Sequence, residues 1–126
     1  MVTFHLPAKG LKGVAKTREF EFEVDEPEFK GGSNVAPMPI EYLLGALASS
    51  IGINMRSYAD EQGWDVGEID VEVRFHKGEN DERIALEKVT FGNEISDEQH
   101  AALIEASKNC PVSKMLFSEV HVEEME

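Results

Sequence analysis

The feature that most constrains this chain is its uncharged run from Tyr42 to Met55, which Arg56 closes. A membrane-spanning helix needs about 20 predominantly apolar residues, so the run reads as a buried helix. Pro39 suits the first turn, where its missing N–H costs nothing, and Glu41 favours the positive end of the helix dipole. The helix is expected to reach about Glu61 and to stop at Gly63. Leu44, Leu47, Ile51, Met55 and Tyr58 follow one another at spacings of three or four and form an apolar stripe. Gly45, Ala48, Ser49 and Gly52 form a second face of small residues that lets another backbone approach closely. A helix built this way belongs at the centre of a fold.

On either side of the helix the apolar period changes from helical to alternating. Val2, Phe4 and Leu6 alternate with Thr3 and His5, and Phe20, Phe22 and Val24 alternate with glutamates. Gly10 and Gly13 lie between them, so a direct hairpin is the simplest connection. Asp25 to Pro39 contains Pro27, Pro37, Pro39 and the pair Gly31–Gly32 and reads as a loop. After the helix, Ile69, Val71, Val73 and Phe75 alternate strictly with polar residues. Ile84 and Leu86 begin a return strand whose phase slips to Val89 and Phe91, which suggests a bulge near Glu87 and Lys88. Ser96 to Gln99 reads as a capping box opening a second helix, with Leu103, Ala106 and Cys110 on one face. Pro111 opens a short helix to about Phe117, and Val120 and Val122 predict a last strand. The expected order is β-β-α-β-β-α-β, an α+β fold with a largely antiparallel sheet.

A length of 126 residues suits a single domain, 1–126, and a 41% hydrophobic, 29% charged composition is that of a folded globular protein. The net charge of −13 argues against nucleic acid or an anionic membrane as partner, because either needs a basic face to neutralise phosphates. Met1 to Pro7 carries no basic cluster followed by an apolar stretch, and Cys110 is the one cysteine; both lead to a cytoplasmic expectation.

The residues that bear chemistry are few. Cys110 immediately precedes a proline that opens a helix, so it sits near an N-cap where unpaired N–H groups favour a thiolate, with Lys114 one turn on. The alternative is a small buried residue on the Leu103 face. His5, His76, His100 and His121 are scattered, no H-x-x-x-H or C-x-x-C spacing occurs, and no metal or cofactor is expected. Ser49 and Ser50 lack the G-x-S-x-G surroundings of a hydrolase nucleophile.

Two stretches together carry a resemblance. Residues 24–50 read VDEPEFKGGSNVAPMPIEYLLGALASS and residues 110–116 read CPVSKML. This resembles the OsmC/Ohr family, the osmotically inducible and organic hydroperoxide resistance proteins, and especially its OsmC-like branch. The resemblance implies an intertwined homodimer with a long central helix in each subunit and two sites at the interface. It also implies a two-cysteine cycle, in which a peroxidatic cysteine ending the A-L-A-x-x run attacks a hydroperoxide and the cysteine of the C-P motif resolves it as a disulfide. The first position is Ser50 here and the second is Cys110. A serine hydroxyl cannot pass through a sulfenic acid to a disulfide, so that cycle is not expected. The family also uses an arginine and a glutamate near the reactive thiol. Glu41 matches the helix-start glutamate and Arg18 is a loosely aligned arginine. Nine residues of helix turn by about 900°, which puts Glu41 and Ser50 on opposite faces.

Three functions follow as expectations. One is an OsmC-like protein without peroxidase activity that keeps an interfacial pocket for a small apolar or peroxidised molecule. Another is a one-cysteine enzyme using Cys110, recycled by an external thiol reductant. The last is a hydroperoxide reductase whose natural cysteine has been replaced by Ser50.

Overall fold

The computed structural model describes residues 1–125, which form two compact units, Met1–Leu43 and the chain from Leu44 onward. The first unit holds β1 (Thr3–His5), β2 (Gly13–Thr17) and β3 (Phe20–Val24) in one antiparallel sheet of order β1-β2-β3. The sequence predicts the outer two strands and a direct hairpin between them, whereas β2 lies between them and pairs with both. Its small inward residues explain why alternation does not reveal it: Gly13 and Ala15 are buried. A Cβ at Gly13 would come within 2.3 Å of the Phe4 ring, so the bulk on that face comes from the neighbouring strand.

The loop after β3 is held by Asp25, a buried carboxylate. Its Oδ1 accepts from the Glu26 N–H (2.8 Å), and its Oδ2 accepts from Ser33 and Val35 (3.2 Å each). Burial alone would push this carboxyl up, but the three main-chain donors and Lys12 outweigh it and hold it below the ordinary value. Tyr42 then packs on Phe22, with ring centroids 5.0 Å apart, and donates to the Glu23 carbonyl.

Helix α1 runs from Pro39 to Gln62, as the capping signals predict. Beyond it the second unit contains β4 (Ile69–Lys77), β5 (Arg83–Phe91), α2 (Asp97–Ser107) and α3 (Pro111–Leu116). Leu47, Ile51, Met55 and Ala59 of α1 form a core with Val66, Leu103 and Cys110. Ile69, Val71, Val73, Ala85, Val89 and Phe91 of the β4–β5 hairpin pack against that core. The helical stripe is therefore the buried face, and Gly52 of the small face lies toward Val71.

Three expectations are corrected. The β4–β5 register is unbroken from Ile69↔Phe91 to Lys77↔Arg83, so there is no bulge. The phase slip has another cause: Ala85, Val89 and Phe91 face the core, while Ile84 and Leu86 sit on the opposite face at 38% and 40% exposure. The Ser96–Gln99 capping box forms in both directions, but α2 ends at Ser107, and its buried positions are Leu103 and Ser107 rather than Ala106. Among the described residues no strand forms around Val120 and Val122, because no neighbouring strand pairs with that segment. The observed order is β-β-β-α-β-β-α-α, still α+β with antiparallel pairing throughout the described strands.

Candidate functional site

The second unit brings Cys110 and Ser50 together. The short link after α2 turns Cys110 into the N-cap of α3, with extended backbone (φ −70°, ψ 145°) and Pro111 as first helical residue. Its side chain is fully buried. The thiol donates to Ser113 Oγ at 2.9 Å, and its sulfur accepts from the Ser113 N–H at 3.4 Å. Ser50, in the fourth turn of α1, adds a hydroxyl near enough to the same sulfur to help lower its pKa. Burial alone would push the Cys110 thiol up. The Ser113 and Ser50 hydroxyls and the N–H groups of Ser113 and Val112 outweigh it and bring the thiol below its ordinary value. Lys114 is exposed and is not among the groups acting on the sulfur.

Beside this pair runs a groove of about 430 Å³, lined by Ser50, Ala46, Ile53, Asn54, Pro111 and Val112 among others. Asn54 fixes one wall by donating to the Ala106 carbonyl at the end of α2. Ile53 stands between this groove and a second one of about 370 Å³, lined by Ser49, Gly52, Ile53, Arg56 and Ile69. Ser49 and Ile53 border both. The groove offers hydroxyls, an amide and apolar surface, with Ser50 between it and the buried Cys110, a setting that suits an uncharged or partly apolar guest.

Glu41 and Arg18 belong to the first unit, where each has a local partner. Glu41 accepts from the Met38 N–H at 2.9 Å, the side-chain half of a helix cap. Arg18 occupies the β2–β3 turn with φ 52°, and its guanidinium lies 4.8 Å from the centre of the Phe20 ring. Sequence reasoning missed Ser113 and Arg56. The C-P-V-S spacing already places a hydroxyl three residues into α3, which is a readable signal for Ser113. Arg56 bonds a main-chain carbonyl, which leaves no mark in the sequence. All four histidines are exposed, and among the described residues no three His, Cys, Asp or Glu side chains converge on a metal site. Among the same residues no helix is long and apolar enough to cross a membrane.

The family model for OsmC-like protein matches residues 31–125, a span that includes both Ser50 and Cys110. The chain belongs to the OsmC-like family. No curated protein matches this OsmC-like chain in sequence. Its fold is shared by solved structures of low identity. A protein of Psychrobacter arcticus 273-4, provisionally assigned to the osmotic stress induced and detoxification response, superposes with a TM-score of 0.76 at 21% identity, covering 90% of this chain and 85% of that one. An organic hydroperoxide resistance protein OsmC from Legionella pneumophila gives 0.69 at 17%, covering 93% and 88%. The organic hydroperoxide resistance protein OhrB of Bacillus subtilis gives 0.63 at 21%, covering 93% and 89%. The OsmC-like protein thus shares its fold with proteins named for organic hydroperoxide resistance.

Proposed function

We propose that this OsmC-like protein holds a small apolar or peroxidised molecule beside Cys110 and does not run a two-cysteine peroxidase cycle. The observation that carries the reading is the Ser50 hydroxyl lying near enough to the Cys110 sulfur to help lower its pKa. In the cycle that the resemblance implies, a thiolate at position 50 attacks the terminal hydroperoxide oxygen. The O–O bond breaks, and a sulfenic acid and an alcohol result. A neighbouring thiol then condenses with the sulfenic acid, releasing water and forming the disulfide that a dithiol reduces. The hydroxyl of Ser50 has no such oxidation chemistry, so the partner sulfur is in place and the first step is missing.

The reading includes a homodimer. Its support is the outward side of α1, where Ile53 is 68% exposed and a Cβ on Gly45 would meet nothing within 4 Å. The proposed setting is the cytoplasm, where thiol reductants keep a lone cysteine reduced. A one-cysteine enzyme is the second reading, favoured by the hydrogen bonds that lower the Cys110 pKa and opposed by the complete burial of its side chain.

Loss of an organic hydroperoxide in the presence of a dithiol reductant tests both readings. The chain itself and Cys110→Ala are expected to be inactive, and Ser50→Cys is expected to turn over, as a parent carrying sulfur at that position would. Activity in the unaltered chain that disappears in Cys110→Ala would establish the one-cysteine reading instead. Activity that survives Cys110→Ala would defeat every thiol-based account.

A further inference from the structure

A third hollow, of about 200 Å³, opens farther along α1 and is lined by Asn54, Ser57, Tyr58, Glu61, Ala106 and Asn109. The four residues from α1 recur at spacings of three and four, so they share one face of the helix. With about 100° of turn per residue, Asn54, Tyr58 and Glu61 stand about 80–140° round the helix from Ile53, away from the side given to the homodimer. The opposite wall is the end of α2 and the link to α3. There the Ala106 carbonyl accepts from the Asn54 side-chain amide and from the Asn109 N–H, which ties that wall to α1 and uses both of its lone pairs. Tyr58 is held from behind: its ring meets Trp64 at 69° with centroids 5.8 Å apart, and both rings pack against the core.

The hollow is rich in acceptors. Asn54 commits its amide nitrogen to Ala106, which leaves its Oδ1 for a guest. Ser57 and Tyr58 each add a hydroxyl, and Glu61 adds a carboxylate that makes no ion pair among the described residues. No lining residue is basic. Lys108, beside Asn109 in the chain, is paired with Glu105 at 3.3 Å.

We propose that this hollow binds a small primary ammonium ion, at a site that does not rest on the guest proposed beside Cys110. An ammonium head carries one positive charge and three N–H donors. The Glu61 carboxylate balances the charge, and Asn54 Oδ1 and a hydroxyl of Ser57 or Tyr58 accept the remaining donors. The Tyr58 ring and the Ala106 methyl group give apolar walls to the first carbons of an alkyl chain. A calcium ion is a poor match, because it takes roughly six to eight oxygen ligands, and among the described residues no three His, Cys, Asp or Glu side chains converge. A neutral polyol would leave the Glu61 charge without a counterpart. The net charge of −13 raises the concentration of every cation near the surface; the set of acceptors selects the ammonium among them.

NMR titration of the isotope-labelled full chain with butylammonium, tetramethylammonium and butanol tests this. Butylammonium is expected to bind most tightly and to move the side-chain amide signals of Asn54 and Asn109. Tetramethylammonium has the charge without N–H donors, and butanol has a donor without the charge, so both are expected to bind more weakly. Glu61→Gln is expected to weaken butylammonium binding about fivefold, the scale of a solvent-exposed ion pair. Glu124→Gln removes the same charge elsewhere and is expected to change nothing. Asn109→Lys puts an ammonium of the chain's own at the hollow and is expected to abolish binding, a second arm that stands even where thermal melts show Glu61→Gln to be unfolded. Equal affinity for the three compounds, equal weakening by Glu61→Gln and Glu124→Gln, or undiminished binding in Asn109→Lys would each overturn the proposal.

Discussion

From Leu44 onward the chain buries Leu47, Met55, Val66 and Leu103 around Cys110, whereas Met1–Leu43 buries only Gly13, Ala15 and Asp25. The same first unit exposes Phe4, Phe20 and Phe29. One unit is a packed apolar core with a thiol inside it. The other is a small sheet with a loop tied down by one carboxylate. The contrast teaches that apolar content alone does not decide where a core forms. The helical stripe of α1 finds two strands and another helix to pack against, while in the first sheet Phe4 meets Gly13, Phe20 lies under Arg18 and Phe22 packs on Tyr42.

The largest effects should fall in the second unit. Leu103→Ala is expected to cost about 2–5 kcal/mol, the range for removing a buried leucine side chain, while Phe29→Ala, 84% exposed, should stay within about 0.5 kcal/mol. Urea unfolding measures both. A comparable cost at Phe29 would break the comparison and show that its face is covered in solution.

The next effect belongs to the first unit and to acid. The folded pKa of Asp25 lies below its unfolded value of about 3.9, so its ionised form stabilises the fold above that value. This stabilisation is lost as pH falls through the folded pKa. Asp25→Asn is therefore expected to be less stable than the parent at neutral pH and to have a flatter stability curve below about pH 4. Proteolysis within residues 26–37 should rise in the variant. Parallel pH curves for the two proteins would show that the loop does not depend on this carboxylate.

The smallest expected effect concerns the thiol alone. Ser113→Ala removes the hydroxyl that does most to lower the Cys110 pKa, and the titration of its thiolate absorbance should move upward while the fold persists. An unmoved titration would assign the shift to the remaining donors, Ser50 among them.

Much of this was legible in the residues, and the gaps have physical causes. The limits of α1, the strand β4, the Ser96 capping box and the Cys110–Pro111 helix start all rest on local signals of period and capping. The pairing of Ser50 with Cys110 was legible only through the two stretches that resemble the family, not from period or capping. Strand β2 was hidden because Gly13 and Ala15 face inward without bulk. The apparent bulge in β5 arose because Ile84 and Leu86 are apolar on the outer face. The roles of Asp25 and Arg56 depend on main-chain groups of Ser33, Val35 and Gly67, whose positions follow only from the closed loops.

The central claim is that the Ser50 hydroxyl stands where a second sulfur would complete a redox pair with Cys110. Treating Ser50→Cys with one equivalent of an organic hydroperoxide, without reductant, and mapping the products by mass spectrometry tests it most directly. The account predicts an intramolecular disulfide linking the introduced sulfur to Cys110, with a loss of two hydrogens. Oxidation of the introduced thiol onward to sulfinic acid, with Cys110 left as a free thiol, would contradict it.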